Sequence, residues 1–339
     1  MGLWACLVVM LLLDLALGSV HIPLDQLLKI LLGGEPERSS WRQIVLIFRL
    51  PRALTAILAG AALSVSGLLM QTLFRNPLAG PFVLGINAGA SLGVALVVLS
   101  VGSAGTVALL SHLGFLAELG MVIAACLGAA VVFGAVLFVS RRVQSSMTLL
   151  ILGLMFGYVT SAVVSLLLYF SIAERIQAYL TWQFGSFGGV TWSQMAILAP
   201  TVLLGLIVAH LLSKPLNALL LGETYARSMG LTVKRAHFWM IGSASVLAGA
   251  ITAFCGPIGF LGVAVPHLCR GLFNTSDHRI LVPATTLMGA SLALLADLMA
   301  HLPGSQTVLP LNAVTALIGA PVVIWVILRQ RNLRRSFAT

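Results

Sequence analysis

The sequence predicts an all-α polytopic membrane protein with about ten transmembrane helices, and three observations carry that prediction. The 339 residues are 59% hydrophobic and only 8% charged, whereas soluble domains run at roughly 45–50% apolar and 25% charged. The apolar stretches are about 20 residues long, the length that crosses a ~30 Å hydrocarbon core as a helix. They do not alternate residue by residue, as the strands of a membrane barrel do. Helices and closed barrels are the only spanning structures, because every peptide N–H and C=O in hydrocarbon must bond internally.

The spans fall at 2–18, 52–73, 81–103, 113–140, 147–170, 191–212, 234–254, 257–269, 280–300 and 309–328, within one domain of residues 1–339. The first has the length of a secretory signal but no basic start, carries Asp14 and lacks a small-residue cleavage site, so it reads as a retained span. The second and seventh carry small residues at helical spacing, Gly60, Ser64 and Gly67, then Gly242, Ser245 and Gly249. Such stripes let helices approach closely, and packing is the preferred reading. Between the second and third lies Arg75-Asn-Pro-Leu-Ala-Gly-Pro81, where two prolines and a glycine forbid a continuous helix. Non-helical backbone at that depth is tolerated where it is buried or lines a cavity, so this is either a constriction or a plain turn. The eighth span is too short to cross alone. Gly256-Pro257 and Pro266 bracket it, and it reads as a partial helix among the others. Gly80-Pro-Phe-Val-Leu-Gly85 is similar to Gly256-Pro-Ile-Gly-Phe-Leu-Gly262. Spans 2–5 and 7–10 then form a weak inverted repeat.

Charge sets the orientation. With ten spans both termini share a side, and that side holds thirteen of the 19 Lys and Arg residues, among them Arg75, Lys214, Arg227, Arg270 and the run from Arg329 to Arg335. The positive-inside rule makes it cytoplasmic. The opposite side keeps Lys29, Arg38, Arg42, Arg49, Arg52 and Arg175, a local excess that needs its own cause. The net charge of +10 sits at span ends and not in a basic groove, which argues against nucleic acid. Cys6, Cys126, Cys255 and Cys269 are scattered without metal-ligand spacing. No phosphate loop, His-Glu-x-x-His or nucleophile elbow occurs. The chain is therefore expected to be no enzyme and to bind no cofactor or metal of its own.

Three constellations stand out. Gly222-Glu-Thr-Tyr-Ala-Arg-Ser-Met-Gly230, inside the loop of about 213–233, puts Glu223 and Arg227 on one helical face between two glycines. It reads as a short cytoplasmic helix, either offered to a soluble partner or an ordinary connector. Arg49-Leu-Pro-Arg52 reads as an outer turn, because the residue before proline is driven extended. Its two guanidinium groups either bind carboxylates or snorkel to the interface. Asp297 and His301 lie four apart near the outer end of span 9. They read as a local structural pair in preference to a metal or proton site.

Taken together these segments resemble the iron-siderophore, haem and cobalamin permease family, the FecCD-like membrane subunits of type II ABC importers. The resemblance covers essentially the whole chain. It rests on Arg49-Leu-Pro-Arg52, Gly60–Gly67, Gln71 with Arg75–Ala79, Leu84-Gly85, Gly222–Gly230, Gly256–Arg270 and Val314–Pro321. It implies a homodimer in the bacterial cytoplasmic membrane, two ATP-binding cassette subunits that carry ATP and Mg, and a periplasmic or lipid-anchored binding protein. Gly222, Glu223, Ala226, Arg227 and Gly230 correspond to the coupling helix. Asn76, Leu78, Ser145, Ser146 and Met147 correspond to the cytoplasmic gates. Arg49, Arg52 and His301 stand at the docking positions for the binding protein. His301 replaces a third arginine of the cobalamin members, which favours a ferric siderophore or haem over cobalamin. The alternative is an ion-coupled secondary transporter of a bulky solute, which needs mid-membrane charge where this chain offers only Asp14, Asp297 and Glu118. An intramembrane enzyme using His267, Asp297 and His301 lacks a ligand set.

Overall fold

The computed structural model describes residues 1–18, 20–100, 115–140, 146–302 and 307–336. Ten apolar helices form the bundle: α1 (Gly2–Ala16), α2 (Leu50–Phe74), α3 (Ile86–Ser100), α4 (Phe115–Ser140), α5 (Ser146–Tyr169), α6 (Trp192–Leu211), α7 (Val233–Cys255), α8 (Leu261–Phe273), α9 (His278–Ala300) and α10 (Leu311–Ser336). Each matches one expected span. Short helices at Leu24–Leu31, Ala173–Gln183 and Ser213–Leu220 lie between them.

The bundle is organised around α2. Its apolar window is 83% buried, against 17% for α5, whose Leu154, Tyr158, Val159 and Leu166 remain exposed. α2 packs against α6, α7, α8 and α9, while α3 packs against α4 and α5. Apolar burial does little to hold helices together in lipid, so close backbone approach and polar contacts must do it. The glycines of α2 provide the approach. A Cβ on Gly60 would overlap the carbonyl of Gly289 in α9, and one on Gly67 would overlap the carbonyl of Gly262 in α8. Packing is thus the right reading of that stripe. The stripe on α7 is packed less closely: Ser245 and Gly249 are buried, but a Cβ on Gly242 would meet nothing within 4 Å, and one on Gly249 would touch only Ile86 at 3.8 Å.

The segment before α2 departs from expectation. Arg49-Leu50-Pro51-Arg52 is not a turn. Helix runs without a break from Ser39 to Phe74, through a π-helical stretch at Ile44–Arg49. Leu50 is helical at φ −65° and ψ −47° despite preceding proline. Proline has no N–H to give, so in the wider π register the carbonyl of Leu46 loses its partner at Pro51. The indole of Trp192 donates to that carbonyl instead, at 2.9 Å. The added π turn thus accommodates a proline inside a long helix, which the local preference of the preceding residue does not show.

α8 has only 13 residues, roughly 20 Å at 1.5 Å per residue, so it is a partial helix as expected. The break ahead of it carries positive φ at Gly256 (75°) and Phe260 (66°). Asn312 at the start of α10 holds it, accepting from the Gly259 N–H at 3.0 Å while its own N–H donates to the carbonyl of Phe184. The related break at Gly80 continues into a 3-10 turn at Pro81–Leu84 and closes at Gly85, φ 73°.

Candidate functional site

Two groups of charged and hydrogen-bonding side chains lie at opposite ends of the bundle. At one end lie residues 72–78, 213–230 and 267–278, all assigned by the loop charges to a single side. Glu223–Ser228 is a short helix, entered through Gly222 at φ 115° and left through Gly230 at φ 85°. Both glycines stand where a side chain would strain the backbone. Arg227 and Glu223 pair at 3.3 Å with side chains 65% and 33% exposed. Such a pair adds only ~0.3–0.5 kcal/mol to helix stability. Ala226 is fully buried beneath it, and Tyr225 and Met229 are exposed beside it. The helix is therefore anchored by one small residue and presents both charges and two large apolar side chains outward.

The turn after α2 is built next to it. Arg75 ends α2 in the left-handed conformation, φ 47°, and reaches the carbonyl of Leu219 at 3.2 Å. The side-chain oxygen of Asn76 accepts from the Leu78 N–H at 2.9 Å, closing an Asx turn that leaves Leu78 exposed. His267 of α8 bonds the carbonyl of Pro77 at 2.7 Å, and Arg270 donates to Gln71 at 2.7 Å. Gln71 in turn donates to the Val263 carbonyl at 3.2 Å. The turn is held on both flanks by α8. Ser146 and Met147 begin α5, and Ser145 lies outside the described residues.

The opposite end holds a buried charged cluster. Contrary to the expectation from the sequence, Arg49 does not stand on an outer rim but is 5% exposed, donating to the carbonyls of Leu15 (2.7 Å), Ala16 (3.0 Å) and Val20. The reason is geometric: α1 ends there with carbonyls that lack an intrahelical partner, and the continuous helix turns Arg49 toward them. Arg52 also points inward, with Nε 2.8 Å from the carboxylate of Asp297 and a guanidinium nitrogen 3.9 Å from that of Asp14. Both aspartates are buried, at 0% and 1%. His301 caps the cluster 3.3 Å from the Asp297 carboxylate. Two guanidinium groups and two carboxyl groups thus meet where α1, α2 and α9 converge, and their pairing offsets part of the cost of burying them. The expected Asp297–His301 pair is present, and Arg52 and Asp14 complete it. Asp14 is the residue that sequence reasoning undervalued, although a carboxylate inside an apolar run already signals a partner elsewhere. Asp297→Asn, which keeps the shape and removes the charge, should lower stability by about 3 kcal/mol because Arg52 loses its nearest counter-charge. Thermal unfolding in detergent reads this as a lower midpoint.

Among the described residues no group of three or more His, Cys, Asp or Glu could hold a metal ion. The cysteines of this set are free, Cys255 and Cys269 buried, Cys6 and Cys126 exposed.

Comparison with known proteins places this architecture. The family model of the FecCD transport family matches residues 6–329. The vitamin B12 import system permease protein of Klebsiella pneumoniae is 38% identical over 331 residues, covering 98% of this chain and 93% of that protein. The corresponding permease of Escherichia coli strain HS is 39% identical over 290 residues, 84% of this chain and 83% of its own. Among solved structures, an inward-facing conformation of a metal-chelate type ABC transporter superposes with a TM-score of 0.84 at 28% identity, over 97% of this chain and 98% of that one. PsaBC from Streptococcus pneumoniae, at 16% identity and a TM-score of 0.51, shares the fold.

Proposed function

The chain belongs to the FecCD transport family, and on that premise we propose that it carries a bulky metal chelate, cobalamin first, from a substrate-binding protein into the cytoplasm. It is the membrane permease subunit of an ABC importer and not an enzyme; hydrolysis of ATP belongs to a separate ATP-binding subunit. The observation that supports cobalamin is the 38% identity across 98% of the chain to a permease named for vitamin B12 import. It reverses the order drawn from the sequence, where His301 at the third docking position favoured a ferric siderophore or haem.

In this reading Glu223–Ser228 is the coupling helix. Its exposed charges and apolar side chains suit a cleft in the ATP-binding subunit, and the bond from Arg75 at the end of α2 to the carbonyl of Leu219, in the helix just ahead of it, gives a route to the gate. The gate comprises the Asn76–Leu78 turn together with Ser145, Ser146 and Met147. Two ATP-binding subunits serve a homodimer, for which the exposed apolar face of α5 is available. Both termini lie on the cytoplasmic side of a bacterial inner membrane. The binding protein docks at the other end through Arg52 and His301, whose side chains keep 15% and 20% exposure. Arg49, fully engaged with the end of α1, supports that surface from within. The chain itself binds no cofactor.

Uptake into proteoliposomes tests the substrate. Labelled cyanocobalamin should accumulate with ATP and be displaced by excess unlabelled cobalamin, while haem and a ferric hydroxamate compete at least tenfold less well. Accumulation of haem or the hydroxamate with no cobalamin uptake would assign the chain to iron chelates.

A further inference from the structure

The helix Ser213–Leu220, immediately ahead of the proposed coupling helix, is joined to α2 by a chain of side-chain hydrogen bonds that passes through α9. Asn217 is fixed at both ends of its amide. Its Nδ2 donates to Asp277 at 2.6 Å, and its Oδ1 accepts from the His278 backbone N–H at 2.9 Å. The same oxygen faces His278 Nδ1 at 2.8 Å. With the amide oriented by Asp277, Nδ1 must carry the imidazole proton, which leaves Nε2 as an acceptor. Nε2 lies 2.8 Å from the hydroxyl of Thr72. His278 is 1% and Thr72 6% exposed, so no solvent competes. Asp277, held below the usual carboxylate range by the Arg279 backbone N–H and then by Asn217, stays ionised and keeps Asn217 oriented.

Thr72 makes the chain a two-state element. Its hydroxyl has one proton and two acceptors within reach, His278 Nε2 and the carbonyl of Leu68 at 3.0 Å. If Ser213–Leu220 withdraws the imidazole, Thr72 returns its proton to Leu68 with no buried donor left unpaired. Thr72 stands four residues ahead of Asn76, and its neighbour Gln71 takes the backbone N–H of Asn76 on its carbonyl at 3.2 Å.

We propose that the Asn217–His278–Thr72 chain carries displacement of the coupling loop to the Asn76–Leu78 turn, with His278 and Thr72 as positioning residues for gate opening. The proposal deepens the coupling reading and rests on it. A coupling between sites requires such an element with two discrete arrangements that both sites bias.

The test is the amount of cyanocobalamin moved per ATP hydrolysed, in proteoliposomes holding the complete complex. Thr72→Val keeps the shape and removes the proton, and Asn217→Leu removes the amide. Each should lower that ratio about tenfold, the scale of losing one buried hydrogen bond, while the ATP hydrolysis rate stays within about twofold. Thr72→Ser, which keeps the hydroxyl, should restore the ratio. An unchanged ratio in Thr72→Val and Asn217→Leu overturns the proposal. So does a fall in uptake and hydrolysis together that follows a lowered melting point, since that marks a structural role. Arg227→Glu separates the two layers. If it leaves both uptake and hydrolysis unchanged, the coupling reading itself fails. If it suppresses hydrolysis while Thr72→Val leaves the ratio intact, only the relay fails.

Discussion

Gly67→Leu should prevent the bundle from assembling. The Cα of Gly67 faces the backbone of Gly262 so closely that even a methyl group would overlap the Gly262 carbonyl. That carbonyl belongs to the first turn of α8, which is pinned by Gln71, Arg270 and His267 and has nowhere to retreat. Overpacking a core costs about 1–3 kcal/mol where side chains can give way, and more where the obstacle is backbone. Gly67→Ala should therefore lower stability by about 3 kcal/mol, and Gly67→Leu should yield protein that aggregates on extraction. Gly242→Ala is the control: its Cβ would meet nothing within 4 Å, so its melting point should equal or exceed that of the parent. Size-exclusion profiles and thermal unfolding in detergent check all three. Equal stability of Gly67→Ala and Gly242→Ala would mean that α2 and α8 do not approach as described.

Arg227→Glu should leave the permease as stable as the parent and reduce ATP-dependent uptake by on the order of 30-fold or more. The stability effect is small because the side chain is 65% exposed and its pairing with Glu223 is an ordinary surface ion pair. The functional effect is large on the proposed coupling role, in which the same pair becomes buried when the helix seats in the ATP-binding subunit. Disrupting one member of a buried, hydrogen-bonded charge pair at an interface costs roughly 2–5 kcal/mol. Ala226→Trp should produce a different defect, because Ala226 is fully buried under the helix and a larger residue lifts the helix from its seat. Co-purification with the ATP-binding subunit distinguishes them: Arg227→Glu weakens association in a salt-dependent way, whereas Ala226→Trp also lowers the melting point.

Element existence was legible in the sequence because long apolar runs have one solution in a bilayer. All ten spans appear as helices, with ends such as 234–254 against Val233–Cys255. The short helix between Gly222 and Gly230 was legible for a local reason too, since both glycines adopt the positive φ that their residue type permits. What escaped was long-range. Arg49 and Arg52 were read as an exposed turn because the rule for the residue before proline is local. The π turn that overrides it depends on Trp192, far along the chain. Asp14 and Asp297 sit 283 positions apart, and no periodicity links them. The small residues of α2 and α7 look alike, yet only those of α2 meet another backbone, a distinction set by the packing of α8 and α9. The Asn217–His278–Thr72 chain joins ordinary polar residues on three elements, and only the fold brings them together.

Transport through this chain is driven by ATP bound on a partner subunit. The direct measurement is cyanocobalamin uptake by energised cells expressing the chain with its ATP-binding subunit and binding protein. Depleting ATP while the proton gradient is maintained should abolish uptake, and a protonophore added with ATP held constant should leave it intact. Uptake that survives ATP depletion and collapses with the proton gradient would contradict an ATP-driven mechanism.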